Sequence, residues 1–304
     1  MRALLAFLTI LLTLTTPVQA GERVTLGFGR LLTNDLIGDR KDRWQTGSAV
    51  LTWLRGPEGL TARPEGFGTL LEYRLAASVV APASLTAPVA GDRRFAGVLS
   101  FGVNSHFTVN AYDVSLGVGV TGTGPQTGLG GFHRGLHDAL GITAASDAVL
   151  ASQIPNALYA TGSFELARPI VFSDNLQLRP FVAAQTGAES FVRVGGDLMW
   201  GRGWGQGLYL RDPVTGQLFQ SMSTKPRPGI SVLIGADTAK VFNSALLPAA
   251  DGYQLTNLRS RARLGINVQG ARAGVFYGLT WLGREFEAQP EGQVLGALRF
   301  SVKF

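Results

Sequence analysis

Residues 294–304, VLGALRFSVKF, alternate without interruption. Val294, Gly296, Leu298, Phe300, Val302 and Phe304 share one face of an extended chain, while Leu295, Ala297, Arg299, Ser301 and Lys303 share the other. Successive side chains of a strand point to opposite faces, so a period of two belongs to a strand and not to a helix. The pattern recurs along the chain. Within 258–269, Leu258, Ala262, Leu264, Ile266 and Val268 oppose Arg259, Arg261, Arg263, Gly265, Asn267 and Gln269, with Ser260 as the exception. Val24, Leu26 and Phe28 oppose Arg23, Thr25, Gly27 and Gly29. Tyr112, Val114, Leu116, Val118 and Val120 oppose Asp113, Ser115, Gly117 and Gly119.

Repeated strands of this kind, apolar on one side and polar or glycine on the other, meet the demands of a lipid bilayer. Hydrocarbon offers no hydrogen-bond partners, so a spanning sheet must close on itself and turn its apolar side outward. A soluble β-sandwich alternates too. Three arginines on one strand face, an aromatic residue ending the last strand and an exported chain without a cysteine weigh for the barrel. The fold class expected is all-β, a transmembrane antiparallel barrel. At roughly 20–25 residues per strand and connection, it has about ten to fourteen strands, an even number.

Residues 1–20, MRALLAFLTILLTLTTPVQA, carry Arg2, an apolar run from Ala3 to Leu14 and a small-residue cleavage signal at Val18-Gln19-Ala20. They read as an export leader, too short in the apolar part to span a membrane. The barrel domain is then 21–304. The chain has no cysteine, so packing and hydrogen bonding replace the disulfides common in small exported domains. No linker, charge block or low-complexity stretch divides it. The net charge is +6, a modest excess that suits acidic lipid headgroups, and export argues against nucleic acid as a partner.

One stretch breaks the alternation. In GTGPQTGLGGFHRGLHDALG, 122–141, Leu129, Phe132, Leu136 and Leu140 recur at helical spacing, with His133 and His137 together on the flank. Gly124-Pro125 makes a turn before this short helix, and Gly141 suits its C-cap. A helix between two barrel strands belongs to a loop, where barrels keep function. Histidines at i and i+4 are able to bind a metal, but a zinc protease needs glutamate after the first, and here Arg134 stands there. Two loop histidines at a wet interface remain the plainer alternative. No Gly-x-Ser-x-Gly elbow occurs, and His106 is followed by Phe107 and Thr108, so the histidine-x-serine pattern of an outer-membrane phospholipase is missing.

GPQTGLGGFHRGLH resembles the motif of the outer-membrane lipid A 3'-O-deacylases, in which the catalytic histidine follows the proline by twelve residues. Counted from Pro125, that residue is His137. The family usually carries glutamine four residues earlier, where this chain has His133. LLTNDLIGDRKDRWQTGS is similar to the family's first strand and loop. Its Asn-Asp pair falls on Asn34-Asp35 and its hydroxyl on Thr46, although Ser48 replaces a common glycine. GDRRFAG at 91–97 resembles an Asp-Arg-x-Tyr-Ala-Gly strand, with Phe95 for tyrosine, and REFEAQPEGQVLGALRFSVKF resembles the closing hairpin. The stretch ASVVAPASLTAPVA, 77–90, is uncharged where family members can carry lysines and arginines, so headgroup preference is expected to differ.

The resemblance covers nearly the whole exported part. It implies twelve strands, a location in the bacterial outer membrane, and lipid A of lipopolysaccharide as the substrate; a monomer is expected. It also implies a route like that of secreted phospholipase A2, in which histidine activates water and Ca2+ polarises the ester carbonyl. His137 is then the base, imidazole being the side chain suited to proton transfer at neutral pH. Asp35 orients His137 or supplies an oxygen to Ca2+. Asn34 holds the ion or the oxyanion, and Thr46 positions water or carbonyl. Asp39, Asp42, Arg40 and Arg43 are expected as solvated loop charges, Arg43 within reach of a lipid phosphate. Counting strands outward from residue 21 puts Asn34, Asp35, Thr46 and the His137 helix at one rim, facing the outer leaflet. A phospholipid-selective hydrolase and a passive porin-like barrel are the competing functions.

Overall fold

The computed structural model of the protein describes residues 23–202, 207–223 and 228–302. The leader expected at 1–20 and the terminal Phe304 lie outside these. Fifteen strands run along the described chain: β1 Val24–Asn34, β2 Trp44–Gly56, β3 Leu71–Ala81, β4 Ala96–Val109, β5 Tyr112–Thr123, β6 Ala157–Ala167, β7 Ile170–Ser173, β8 Leu176–Thr186, β9 Glu189–Gly201, β10 Gly207–Arg211, β11 Leu218–Ser223, β12 Gly229–Ser244, β13 Arg259–Gln269, β14 Ala273–Leu282 and β15 Gln293–Val302. Twelve of them form an antiparallel wall in the order β6-β5-β4-β3-β2-β1-β15-β14-β13-β12-β9-β8. Pairing of β6 with β8, from Gly162↔Thr186 to Ala167↔Phe181, closes the ring. β7 extends the edge of β8, and β10 pairs only with β11.

Closure satisfies the backbone, and the side chains sort accordingly. On β13, Arg263 is 3% exposed whereas its neighbour Leu264 is 46% exposed, the reverse of a soluble protein. Arg261 Nε donates to Asp237 Oδ1 at 2.9 Å and Arg263 Nε to Asp197 Oδ1 at 2.8 Å, so the buried charges are paired inside the ring. Ser260, the polar exception on the apolar face, bonds Thr238 across the strands, Oγ to Oγ1 at 3.1 Å. Each hydroxyl thus finds a partner without water.

The glycine faces have a separate cause. The hairpin β10–β11 lies inside the ring, where Leu208, Leu210, Phe219 and Met222 pack against Leu31, Val50, Leu54 and Phe276 of the wall. A Cβ at Gly29 would collide with Thr52, Ser221 and Phe219, so glycine lets the hairpin approach β1. Arg211 pins the hairpin by donating from Nε to Glu165 at 2.7 Å and from Nη2 to Asp197 at 2.9 Å. One strand face departs from expectation. A bulge between Thr25 and Gly27 turns Leu26 toward this interior cluster instead of leaving it beside Phe28.

Connections at one end include the long loops 35–43, 82–95, 124–156, 245–258 and 283–292. The other end has the Asn110-Ala111 turn, the short 270–272 link and a longer loop, 57–70, but nothing to match the helix-bearing 124–156 connection. Long loops mark the extracellular rim of such barrels. Leu264 faces lipid midway along β13, opposite Ile234 and Leu279. Leu264→Arg is expected to lower folding stability in liposomes by about 2–4 kcal/mol, read by denaturant titration; an unchanged midpoint would contradict the inside-out assignment.

Candidate active site

The site begins where β1 ends. Asn34 Oδ1 accepts from the Leu36 amide at 2.8 Å, and its Nδ2 donates to the Thr46 carbonyl at 3.2 Å. The Asp35 amide donates to the same carbonyl at 3.0 Å, and the Asp35 carbonyl accepts from the amides of Gly38 and Arg40. Asn34 is therefore committed to shaping a turn, as Asn commonly is, and that turn buries Asp35. Asp35 Oδ2 has no hydrogen-bond partner. Burial, then the negative charge of Asp42, and more weakly that of Asp39, push the Asp35 carboxyl up to about 8, against the pull of the Leu36 amide. Thr46 is buried at a bulge in β2 and gives its hydroxyl proton to the Val79 carbonyl at 3.4 Å, which leaves its lone pairs available.

Of the loop charges expected from the sequence to be solvated, Arg40 is exposed, but Asp39, Asp42 and Arg43 are drawn into the protein. Arg40 and Trp44 adopt left-handed φ values of 62° and 55°, an uncommon strain for residues with side chains. Between them the chain folds back. Arg43 becomes buried, stacks 4.3 Å over the Trp44 ring, and pairs with Asp39 at 3.3 Å and Glu291 at 2.9 Å, so it is engaged within the protein. Asp42 is half-buried and turned toward the histidines.

Those histidines lie on helix α1, Leu129–Leu140, bounded by left-handed Gly128 and Gly141. The helix rests on the outside of the barrel. Gly97 pairs with Val79 on the lipid-facing side of β3 and β4, and a Cβ at Gly97 would collide with Thr127 and Leu129. Val79, Phe95, Ala145 and Val149 form the small core beneath, with Val149 supplied by helix α2, Asp147–Ala151. Arg134, at the zinc-protease glutamate position, ties the two helices by donating to the Ala145 carbonyl at 3.1 Å and pairing with Asp147 at 2.9 Å. The apolar residues Phe132, Leu136 and Leu140 are exposed and the imidazoles are buried. Outside a membrane barrel the surroundings are hydrocarbon, so the helix hides its polar flank against the wall.

The loop and the helix meet through Asp42. His137 donates from Nδ1 to the Thr143 carbonyl at 2.7 Å, which fixes the tautomer with Nε2 as the lone-pair atom. Nε2 stands 3.4 Å from Asp42 Oδ2, and His133 Nε2 stands 3.8 Å from Asp42 Oδ1. Of the four residues singled out in the sequence, Asn34, Asp35 and Thr46 form one cluster and His137 the other. The carboxylate facing His137 is that of Asp42, and Asp35 reaches the cluster through the field of Asp42. Asp42 escaped sequence reasoning because it is distant in the chain from the helix and sits in a run of ordinary charges.

The barrel interior holds a cavity of about 350 Å³, but none of Asn34, Asp35, Asp42, Thr46, His133 or His137 lines it. The third histidine, His106, is interior, bonded to Glu72 at 2.8 Å and Ser115 at 2.7 Å. Arg63 donates to both His106 and Ser115, locking this trio as part of the buried charge network.

A family model described as "Outer membrane protein LpxR" matches residues 5–304. The chain belongs to the LpxR family. Among solved structures it is similar to LpxR from Salmonella typhimurium, with a TM-score of 0.71, 18% identity, and coverage of 91% of this chain and 100% of that one. It also matches the NanC porin at a TM-score of 0.43 and 7% identity, covering 91% of this chain and 100% of that one. The β domain of the Bordetella autotransporter BrkA matches at 0.43 and 8%, covering 92% and 99%. A comparison with curated protein sequences finds no match. This LpxR family member is thus a twelve-stranded barrel of the bacterial outer membrane, as the sequence led one to expect.

The crowding of carboxylates has a measurable consequence. Asp35 has its pKa raised from an ordinary 3.8, so its protonated form contributes stability that is full at low pH and lost as pH rises through about 8. In chelator-treated protein at about pH 6.5, a buried carboxylic-acid infrared band is expected. It should fade through about pH 8, and be missing in Asp35→Asn. A band that vanishes near the ordinary carboxyl range would contradict the burial of Asp35.

Proposed function

We propose that this LpxR family member hydrolyses the ester that links the 3'-acyloxyacyl group to lipid A, with His137 as general base. The observation that carries the reading is a base with a fixed tautomer, held between the outer barrel wall and a lipid-facing helix at the extracellular rim. Lipid A resides in the outer leaflet, and its acyl chains would meet the exposed side of α1 formed by Phe132, Leu136 and Leu140. His137 Nε2 takes a proton from an attacking water and returns it to the leaving alkoxide, while Thr143 holds the ring in place. Thr46, with its proton given to Val79, presents lone pairs toward water or cation. Asn34 acts as a positioning residue for Asp35.

The donor chemistry around Asp35 fits the Ca2+ that the family resemblance implies. A buried carboxylate oxygen without a donor, next to a second carboxylate, is destabilised as an anion and relieved by a hard cation. Asp35 would hold the ion, with the hydroxyl lone pairs of Thr46 in support and Asn34 fixing the turn that carries Asp35. When bound, Ca2+ supplies positive charge for the oxyanion of ester hydrolysis. The interior hairpin and its ion pairs count against a passive channel, since they fill space that a pore needs to keep open.

Expression in a bacterium of defined lipid A should remove one ester-linked acyl group, seen by mass spectrometry. His137→Ala and Asp35→Ala should reduce the rate by about a hundredfold or more, with heat-modifiable folding retained. Full activity in both variants would overturn the mechanism, and unchanged lipid A mass with the parent protein would overturn the function. The uncharged residues 77–90 favour one second reading, hydrolysis of phospholipid, and purified phosphatidylethanolamine assayed beside lipid A separates the two.

A further inference from the structure

His133 is 5% exposed, and neither of its ring nitrogens has a hydrogen-bond partner. A buried imidazole ordinarily bonds through at least one nitrogen. Its surroundings explain what would suit it. The His137 ring lies with its centroid 3.9 Å away, and Phe95 meets His133 edge-on at 5.5 Å. His137 Nε2 presents a lone pair to Asp42 Oδ2, which is itself an acceptor, at 3.4 Å. Asp42 Oδ1 is also buried without a donor, 3.8 Å from His133 Nε2. Two imidazoles and one carboxylate converge there with buried polar atoms left unsatisfied, and a cation held between them satisfies those atoms.

The donor set selects the kind of cation. One ligand atom from each of Asp42, His133 and His137 lies within 4.8 Å of the others. Tetrahedral zinc, with bonds of about 2.0–2.1 Å, sets its ligand atoms about 3.3 Å apart. His137 Nε2 stands at that spacing from Asp42 Oδ2, 3.4 Å, while His133 Nε2 is 3.8 Å from the other carboxylate oxygen, so closing the set around one ion asks for a modest inward shift of the His133 ring. Imidazole nitrogens suit borderline transition ions, whereas Ca2+ seeks six to eight oxygens. The Thr143 carbonyl on His137 Nδ1 is the outer contact that orients a metal-ligating histidine. His133 stands where the resembled motif usually has glutamine, so the third ligand is a property of this chain.

We infer that Asp42, His133 and His137 form a second metal site, separate from Asp35 and selective for a borderline transition ion of the Zn2+ class, whose occupancy withdraws His137 Nε2 from ester hydrolysis. A lone pair bonded to metal accepts no proton from water. The inhibitory half rests on His137 being the base; the binding half does not.

The test uses full-length protein in detergent micelles, stripped with a chelator and returned to Ca2+. Zn2+ binding is followed by calorimetry and Co2+ binding by visible absorption. One equivalent of either ion is expected, with the spectrum of nitrogen-ligated, low-coordinate Co2+. His133→Gln should weaken binding by about a hundredfold or more, since outer-shell partners alone account for 10–100-fold, and Asp35→Asn by less than about tenfold. Asp42→Asn, on the loop, repeats the test if His133→Gln fails to show heat-modifiable folding. Zn2+ should slow lipid A hydrolysis by the parent at least about tenfold, by occupying the base on which general-base catalysis depends. Chelation followed by Ca2+ should restore it, and His133→Gln should resist relative to its own zinc-free rate. No stoichiometric binding, or equal loss in Asp35→Asn and His133→Gln, overturns the site, and stimulation by Zn2+ overturns the withdrawal of the base. If the parent hydrolyses no lipid A in any metal condition, the deacylase reading and the inhibitory half fall together, while the binding result decides the site by itself.

Discussion

A backbone amide in hydrocarbon has no water to bond, so every strand of the wall must be paired on both sides. Pairing of β1 with β15 and of β6 with β8 leaves the wall without an edge. From that closure follows the inverted sorting of side chains, with Arg261 and Arg263 inside and Leu264 and Ile266 outside. The interior can then carry charge only if it is paired, and Asp197, Asp237 and Glu165 each meet arginines there. Arg211 joins this network from the interior hairpin, so the same ion pairs that hold the wall also hold the hairpin.

The constraint shapes the site as well. A polar group on the outer face of such a wall would meet lipid, yet the proposed hydrolysis needs a base and acids near that face. The chain reconciles the two by laying α1 over β3 and β4. Gly97 gives the room, Phe95 and Val149 give the contact, and the imidazoles turn inward to meet Asp42. The helix resembles a lid in amphipathicity but has its sides exchanged, with apolar residues outward and polar residues beneath. Crowding three carboxylates and two imidazoles in that shelter raises the Asp35 carboxyl and leaves oxygen and nitrogen atoms without donors. Such a cluster favours cations.

The wall was legible in the sequence because period-two alternation is a local property. β13 and β15 have the faces assigned to them from the pattern alone, and α1 begins and ends close to the glycines that suggested it. Leu26 was misassigned because a bulge shifts the side-chain phase and has no signature in alternation. The hairpin β10–β11 escaped for a different reason: its residues alternate like any strand pair, and nothing local says whether they join the wall or fill it. The site was legible only in part. His137, Asp35, Asn34 and Thr46 came from a family pattern. Asp42 and Arg43 passed as solvated charges, because their burial depends on a backbone excursion at Arg40 and Trp44 and on partners far along the chain.

The central claim is spatial: the proposed ester hydrolysis belongs between the outer wall and α1, reached from the lipid side. A lipid A analogue carrying a photoreactive diazirine on its 3'-acyl chain, incorporated with the His137→Ala protein in vesicles and mapped by peptide mass spectrometry, tests it directly. The account places the cross-links on Phe132, Leu136 and Leu140 of α1 and on the lipid-facing side of β3 and β4. Cross-links concentrated on interior residues such as Ser100, Thr121 or Arg193 would contradict it.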